Sequence, residues 1–321
     1  MSSATPCWRP SRRSTTRTSE APARSAPTLS TTAPLREPAT PPAPGAAPAT
    51  EDRRSHVGEH ITCQIEGPLA RVSLNRPDKL NALTLEMLGD LADTAHRLRA
   101  DRQVRVVILS GEGESFCAGL DFASTLADRA GLTKAFVSRP WRGTNTFQEA
   151  CYGWRRIPVP VIAAVHGNCL GGGLQIALGA DFRFTSPEAR WSVLEGKWGL
   201  IPDMAGIRLL ADQVGMAEAK RLTMTAEIIS GSEAARLGLA TEAADPHAAA
   251  EELAGTLSTR SPDALAAAKR LFEKSWNSTA RATFARERFE QLRLLALPNT
   301  ARARKAAFGR ERAEFADRTR R

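Results

Sequence analysis

Two short glycine-containing segments of the 321-residue sequence have the residue types needed to present backbone amides to a bound molecule. The first, from Ser115 to Asp121, reads S-F-C-A-G-L-D, and the second, from Leu170 to Gln175, reads L-G-G-G-L-Q. Three successive glycines allow a ligand to lie directly against the main chain, where a Cβ would obstruct it. If a helix begins there, its free N–H groups and its dipole favour negative charge that develops on the ligand.

A dinucleotide-binding loop and a simple tight turn are alternative interpretations of a strand–glycine–helix junction. The glycines at 171–173 are not spaced as G-x-G-x-x-G, and no acidic residue closes a following strand at the expected distance. Both departures disfavour a Rossmann-type nucleotide site.

The two segments belong to a longer series of motifs. Asn75–Leu83 (N-R-P-D-K-L-N-A-L) precedes them, a His-Gly pair lies just before the triple glycine, and Trp191–Glu195 (W-S-V-L-E) and Gly199–Pro202 (G-L-I-P) follow. In order and spacing, the series resembles the crotonase (enoyl-CoA hydratase/isomerase) superfamily from roughly Val57 to the C-terminus. The resemblance implies an α/β fold, with a ββα spiral core and a helical C-terminal region.

The resemblance also implies an acyl-CoA substrate that passes through an enolate. When the carbon next to a thioester carbonyl loses a proton, the carbonyl oxygen becomes an enolate oxygen, and two amide donors can stabilise it. The matching donors are the backbone N–H groups of Ala118 and Gly172, and losing one such donor typically costs about 3–4 kcal/mol. Asp121 is expected to stabilise its own loop. The positions matched to substrate contacts are Lys79, Leu80, Ala82, Ala118, Gly119, Leu120, Asp121, Gly171 and Gly172.

The acid–base positions depart from the hydratase pattern of the superfamily. Hydratases hold and activate one water with two glutamates; the second matches Glu195, but the first falls on Gln175. An amide can orient a water, but it cannot take up a proton at neutral pH. Asp203 matches the aspartate that shuttles a proton in the dienoyl-CoA isomerases of the superfamily. The carboxylates that remain favour double-bond isomerisation over hydration.

Each of these side chains also has a purely structural interpretation. Glu195 is open to assignment as a surface or capping carboxylate, and Asp203, after a proline, as the cap of the next helix. Gln175 either faces the pocket or bonds to a neighbouring loop. Cys117 and Cys169 are expected as small core residues. Three tryptophans are candidates for an acyl pocket or for core packing: Trp141, Trp154 and Trp198.

Three functions follow from these residues. The leading one is an enoyl-CoA isomerase, and the alternative within the same fold is a hydratase in which Gln175 suffices to orient water. A non-catalytic homologue that binds acyl-CoA or RNA is the third, motivated by a pI of 9.9 and an Arg-rich C-terminal end. The sequence has a single tyrosine and no visible platform of stacked aromatics, so nucleic acid is not expected as a partner.

The motifs need a sheet to position them. Residues 61–66 and 69–75 alternate around Gly67-Pro68, which predicts a β-hairpin. Thr84 is the expected cap of an amphipathic helix. Short apolar runs predict buried strands at 104–109 and 160–165, and further strands are expected at 182–185 and 190–193.

After Met204 the pattern is almost wholly helical. We therefore expect a core over residues 57–255 and a helical region over 256–321. The resemblance to the crotonase superfamily implies that this helical region joins subunits into a trimer or a pair of trimers. Lys305 and Phe308 are candidates for contacts to CoA. The helices are predicted near 206–213, 216–224, 232–237, 247–258, 262–275 and 279–296, followed by an Arg-rich stretch from Ala301 to about Ala316.

Residues 1–56 are predicted to be a disordered tail, because ten of the twenty prolines lie in the first fifty residues with Trp8 as the single aromatic. The tail carries +4 of the net charge of +9. Its prolines disfavour the amphipathic helix of an organellar targeting peptide. Five scattered cysteines indicate a reducing compartment, and we expect the cytoplasm. No membrane span, no metal site and no cofactor beyond substrate-bound CoA are expected.

Overall fold

The computed structural model of the protein describes residues 53–56 and 58–320. Within that part the strands are β1 (Arg53–His56), β2 (Ile61–Glu66), β3 (Leu69–Leu74), β4 (Val106–Gly111), β5 (Val161–Val165), β6 (Asn168–Leu170), β7 (Phe182–Thr185), β8 (Arg190–Ser192), β9 (Ile229–Ser230) and β10 (Thr241–Glu242). The helices are α1 (Leu85–Ala100), α2 (Phe122–Ala127), α3 (Arg129–Phe136), α4 (Thr146–Arg156), α5 (Gly172–Leu178), α6 (Gly206–Val214), α7 (Met216–Thr225), α8 (Gly231–Arg236), α9 (Pro246–Ser258), α10 (Pro262–Ser275), α11 (Ala280–Leu295) and α12 (Pro298–Gly309). None of these helices is long and apolar enough to cross a bilayer.

The strands form two sheets. The larger has the order β1-β2-β3-β4-β5-β7-β10, and the smaller has the order β6-β8-β9. β2 and β3 form the predicted antiparallel hairpin, whereas β3, β4, β5, β7 and β10 run parallel to one another. Helices connect successive parallel strands, so the predicted α/β class is confirmed.

The central strands are apolar throughout because both faces of the larger sheet are covered. On β4, Val107 and Leu109 belong to the main core, whereas the alternate residues Val106 and Ile108 pack with Ala250 of α9. Successive side chains of a strand point to opposite faces, so a strand buried on both sides has no polar alternation. The uninterrupted apolar runs in the sequence were therefore correct indicators of buried strands.

α1 begins where the sequence predicts. The Thr84 hydroxyl accepts a hydrogen bond from the N–H of Met87 at 3.2 Å, which satisfies one of the free donors of the first turn. The helix buries one apolar face, including Leu88 and Leu91, against the main core. Its start therefore lies directly after the N-R-P-D-K-L-N-A-L motif.

The start of the core and the make-up of the region after Met204 differ from the predictions. β1 pairs with β2, so the ordered core begins at least four residues before the predicted limit at 57; the rest of the predicted tail lies outside the described residues. β1 consists of Arg, Arg, Ser and His, which is a polar composition typical of an edge strand and gives no apolar signal. The short strands β9 and β10 interrupt the region predicted to be wholly helical.

The helical region predicted over 256–321 continues as helix only to Gly309. Arg310 adopts a left-handed conformation (φ 55°), and the following residues run back over α1 and α10. The N–H of Arg318 donates to Arg102 O at 3.1 Å, and the N–H of Thr319 donates to Asp263 Oδ1 at 2.8 Å. These tertiary hydrogen bonds replace the helical ones, and the local Arg-rich composition does not reveal them.

Lys269 ties α10 to the core. Its ammonium group is largely buried and donates to Trp154 O at 3.2 Å, to Val159 O at 3.0 Å and to Asp181 Oδ2 at 2.6 Å. The same Asp181 oxygen accepts the N–H of Val161 at the start of β5. One buried cation thus fixes the end of α4, the start of β5 and α10 relative to one another.

We expect Lys269→Met to lower the free energy of unfolding by about 3 kcal/mol, because the change leaves a largely buried carboxylate and two carbonyls without their donor. Urea unfolding followed by circular dichroism measures the loss. Arg236→Met, which breaks the exposed pair with Glu233, is the matched control and should cost markedly less. Equal losses for the two variants would contradict the role given to Lys269.

Candidate active site

A cavity of about 330 Å³ lies where the start of α5, the segment before α2 and the 3₁₀ turn Leu194–Trp198 meet. The structure brings seven of the predicted catalytic, oxyanion-hole and substrate-contact residues to this one cavity. They are Ala118, Gly119, Leu120, Gly171, Gly172, Glu195 and Asp203. The cavity therefore combines backbone amides and carboxylates from segments that are far apart in the sequence.

The two glycine-containing segments lie side by side. The N–H of Cys117 donates to Asn168 O at 2.7 Å, and the N–H of Leu170 donates to Cys117 O at 3.0 Å. A Cβ at Gly173 would lie 2.6 Å from Cys117 O, which is closer than any real Cβ contact. Glycine at this position is thus required by the close approach of two backbones, in addition to any approach by a ligand.

The two predicted oxyanion donors differ in whether their backbone N–H already forms a hydrogen bond within the protein. Gly172 is the first residue of α5, and no backbone oxygen of the described residues accepts its N–H. The N–H of Ala118, in contrast, donates to Leu80 O at 2.9 Å. Of the two predicted donors, only the Gly172 amide is therefore free in this structure, and the role predicted for Ala118 requires its N–H to leave Leu80 O.

The Leu80 carbonyl, which accepts the N–H of Ala118, belongs to a stretch of backbone with positive φ angles. Leu80 and Asn81 both lie in the left-handed region (φ 51° and 57°), which costs a non-glycine residue roughly 1–2 kcal/mol. The Asn81 side chain holds this loop by donating to Glu112 O at 2.9 Å and to Ser115 O at 2.7 Å. The loop that was predicted to contact the substrate is thus attached directly to the predicted oxyanion segment.

Gln175 lies beneath the cavity instead of lining it. Its side chain is fully buried, and its Nε2 donates to Glu195 Oε1 at 2.6 Å. Its Oε1 accepts the N–H groups of Met204 and Gly206, both at 2.9 Å. This matches the interpretation in which the residue bonds to a neighbouring loop, and it fixes the orientation of the amide, since only the oxygen can accept.

Glu195 is half-buried at the cavity wall, and its second carboxylate oxygen has no hydrogen-bond partner among the described residues. Burial raises its pKa above the ordinary value, the hydrogen bond from Gln175 opposes that rise, and the charge of Asp203 adds to it. Burial also raises the pKa of Asp203. Both carboxyl groups are thereby stronger bases than carboxylates in water.

Asp203 does not cap the following helix. The N-cap of α6 is Ala205, in a left-handed conformation, and no side chain bonds to the first turn. The capping interpretation of Asp203 is therefore wrong, and its carboxyl group remains at the cavity.

The other predicted substrate contacts lie outside the residues that line the cavity: Lys79, Leu80, Ala82 and Asp121. The Asp121 carboxylate accepts from Arg76 at 2.8 Å and caps α2 through the N–H of Ser124 at 3.2 Å. The hydrogen bond from Arg76 lowers the pKa of Asp121. The expected loop-stabilising role of Asp121 is confirmed.

The cysteines near the motifs are core residues. Cys117 and Cys169 are fully buried, and burial raises the pKa of Cys117 to about 12. Thiols with raised pKa values are poor nucleophiles at neutral pH. No group of three or more His, Cys, Asp or Glu side chains suited to a metal ion occurs among residues 53–56 and 58–320.

One side of the cavity is built from α2, α3 and α4, within the segment between Asp121 and Arg155 that the sequence predicted to shape the acyl pocket without identifying individual residues. This side contributes apolar and aromatic residues together with a threonine. Trp198 is at the cavity as one interpretation proposed, whereas Trp154 is buried in the core and Trp141 is 80% exposed. The helix caps at Asp121 and Asn145 were signals for helices here, but not for the face each helix turns to the cavity. The individual residues that sequence reasoning missed are Phe122, Thr125, Leu126, Leu132, Phe136 and Phe147.

A comparison with protein families agrees with this geometry. The family model described as enoyl-CoA hydratase/isomerase matches residues 64–312. The chain belongs to this family. It is thus an enzyme of the enoyl-CoA hydratase/isomerase type, and the resemblance to the crotonase superfamily is confirmed.

Relatives within the enoyl-CoA hydratase/isomerase family carry different activities in their names. The (E)-benzylidenesuccinyl-CoA hydratase of Thauera aromatica is 33% identical over 60% of this chain and 72% of its own length. The peroxisomal Delta(3,5)-Delta(2,4)-dienoyl-CoA isomerase of Arabidopsis thaliana is 33% identical over 56% of this chain and 67% of its own. Identity at this level does not separate isomerases from hydratases.

The fold agrees with solved structures of the family. An enoyl-CoA hydratase from Bacillus anthracis superposes with a TM-score of 0.73 at 25% identity, over 80% of this chain and 99% of the other. The predicted crotonase-like spiral core is thereby confirmed.

Proposed function

We propose that the protein is an enoyl-CoA isomerase that moves a double bond along the acyl chain of a CoA thioester. The observation that carries this proposal is that two carboxylates, Glu195 and Asp203, lie at the cavity, whereas Gln175, at the position of a third, lies beneath it and donates its amide N–H to Glu195. Isomerisation needs one group to remove a proton and the same or another group to return it elsewhere. Carboxylates suffice for that chemistry, so we propose no cofactor beyond the CoA of the substrate.

In the proposed mechanism, Glu195 takes a proton from the carbon next to the thioester carbonyl. The electron pair of the C–H bond moves onto the carbonyl oxygen, and the Gly172 N–H at the start of α5 stabilises the enolate oxygen. Asp203, or Glu195 itself, then returns a proton to the far end of the conjugated system. The double bond has moved, and no atom other than a proton has been exchanged.

Ala118 joins this mechanism only if Leu80 releases its N–H. The enolate oxygen is a stronger acceptor than the neutral Leu80 carbonyl, because hydrogen bonds to charged acceptors are roughly twice as strong. Substrate contacts to the loop around Leu80 and Asn81 would turn that carbonyl away, and the left-handed backbone there lowers the cost of the change. We propose that the second oxyanion donor is completed in this way when the substrate binds.

Two substitutions separate the proposed proton carriers. Glu195→Gln should lower the rate of deuterium uptake at the α-carbon by about 10²–10⁴-fold, since the base is lost while the shape is kept. Asp203→Asn should retain α-carbon exchange but slow the shift of the double bond. Mass spectrometry of 3-enoyl- and 3,5-dienoyl-CoA in D₂O measures both. Unchanged exchange in Glu195→Gln would refute the mechanism.

The pH profile follows from the same groups. Because burial raises the pKa of Glu195 and of Asp203, and each acts as a base only when deprotonated, activity should fall as the pH drops through values above the ordinary carboxyl range.

Hydration is the second candidate, and the hydratase name of the Thauera relative supports it. In this alternative Gln175, which donates to Glu195, suffices to orient the water, whereas hydratases of the superfamily have a second carboxylate at its position. Gln175→Glu supplies that carboxylate, keeps the acceptor for Met204 and Gly206, and places two carboxyl groups in contact, which raises their joint pKa.

We expect Gln175→Glu to gain water addition to a 2-enoyl-CoA and to move the acid limb of the pH–rate profile upward. Loss of absorbance of the conjugated thioester measures hydration. Fast hydration by the wild-type protein, with no gain in the variant, would favour the hydratase assignment over ours.

We propose further that residues 256–321 join subunits, in a trimer or a pair of trimers. This region exposes many large apolar side chains, and such surfaces mark protein interfaces when they are contiguous. Lys305 and Phe308 on α12 are exposed and available for CoA held by a neighbouring subunit. The exposed apolar residues of this region are Phe272, Trp276, Phe284, Phe289, Leu292, Leu295 and Phe308.

The buried thiols of Cys117, Cys151 and Cys169 support the reducing, cytoplasmic location that we infer.

Light scattering of the wild-type protein should give a molar mass equal to that of three or six chains. Leu292→Glu should shift it toward a single chain, because a charge cannot be buried unpaired in an apolar interface. Met224→Glu, equally exposed but outside residues 256–321, is the control and should leave the mass unchanged. A monomeric wild-type protein would contradict the proposal.

A further inference from the structure

Four aromatic residues line the cavity. Phe122 and Trp198 form one ring pair, with centroids 5.2 Å apart and planes inclined by 45°. Phe136 and Phe147 form a second pair, at 5.0 Å and 42°. Faces and edges of aromatic rings pack best against another flat ring, which gains more than an equal area of aliphatic chain.

Thr125 is a polar residue of the cavity wall. It lies between Phe122 and Phe136 in sequence, lines the cavity and is 2% exposed. Its hydroxyl has no hydrogen-bond partner among the described residues. A threonine in a helix commonly bonds its hydroxyl to a carbonyl of the preceding turn, but this one does not. An unpaired buried hydroxyl destabilises a protein, and a valine of the same shape would avoid that cost.

The hydroxyl is therefore available to a bound molecule. The hydroxyl oxygen of Thr125 is itself buried, and a rotation of about 120° about χ1 would carry it into the place now held by the methyl group or by the Cβ hydrogen, and so toward the cavity. A hydroxyl both donates and accepts, and it pairs with an oxygen substituent in either protonation state. A purely aliphatic acyl chain would leave it unpaired, in the free and in the bound protein alike.

We propose that the acyl group of the substrate carries an aromatic ring with an oxygen substituent, and that Thr125 is the residue that selects for this substituent. The ring packs between the two aromatic pairs, and the Thr125 hydroxyl forms a hydrogen bond with the ring oxygen. This proposal rests on the acyl-CoA site described above and deepens it by naming the class of acyl group. It does not depend on whether that site isomerises or hydrates.

The test compares three substrates: 4-(4-hydroxyphenyl)but-3-enoyl-CoA, 4-phenylbut-3-enoyl-CoA and hex-3-enoyl-CoA. For the wild-type protein we expect kcat/KM to fall in that order, with roughly a five- to tenfold step for loss of the hydroxyl, as for one neutral hydrogen bond. Thr125→Val should remove the step between the two aryl substrates by slowing the hydroxylated one. Ser124→Ala changes the neighbouring, exposed hydroxyl of α2 and should leave every ratio unchanged.

Binding separates this proposal from the proposed reaction. Calorimetry with the saturated thioesters 4-(4-hydroxyphenyl)butanoyl-CoA, 4-phenylbutanoyl-CoA and hexanoyl-CoA requires no turnover. If the preference appears in binding and disappears in Thr125→Val, the proposal holds even where no double bond moves. Equal binding of the three thioesters, or a hydroxyl preference that survives Thr125→Val, overturns it.

The variant also reports on the free protein. Thr125→Val removes an unpaired buried hydroxyl without changing shape, so we expect its melting temperature to equal or exceed that of the wild-type protein. A clearly lower melting temperature would show that the hydroxyl is already paired in the free protein, and this would overturn the premise of the proposal.

Discussion

The side-chain amide of Gln175 joins three parts of the candidate active site. It receives the backbone N–H groups of Met204 and Gly206 on its oxygen and donates from its nitrogen to Glu195. Buried polar groups must be paired, and removing one partner costs about 1–3 kcal/mol for each group left alone. The turn that carries Asp203 and the 3₁₀ turn that carries Glu195 are therefore positioned by one amide on α5. A Cβ at Gly206 would lie 2.4 Å from the Gln175 oxygen, so glycine there follows from the same constraint.

This arrangement determines the electrostatics of the site. The amide gives Glu195 one neutral hydrogen bond and no counter-charge, so burial dominates and the pKa of the carboxyl group rises. An arginine or lysine at the same place would hold the carboxylate ionised but would make it a weaker base. The second oxygen of Glu195 is buried without a hydrogen-bond partner among the described residues. An unpaired buried oxygen has a local cost in stability, and the mechanism that we propose gives this carboxyl group the role of the base.

A second dependence links the oxyanion segment to the loop before α1. Ala118 and Leu80 share a backbone hydrogen bond, and Asn81 connects that loop to Ser115 through its side chain. These contacts place the expected CoA-binding loop and the expected oxyanion donor in one hydrogen-bonded unit. A change at either end is transmitted to the other, because buried donors and acceptors must find new partners together.

The sequence by itself determined the fold class, the hairpin, the buried strands, most helices and the segments that reach the cavity. Each depends on local periodicity, on caps such as Thr84 or on a motif such as the triple glycine, and such local patterns can be read directly from the sequence. Contacts between residues far apart in the sequence cannot. The tertiary structure alone shows that the Ala118 amide donates to Leu80 and that Gln175 lies beneath the cavity. It alone shows that Thr125 is part of the cavity wall and that residues 310–320 run back over α1. These features depend on packing between segments many residues apart. Those features were decided by the tertiary structure, because hydrogen bonds and burial depend on which surfaces the fold brings together.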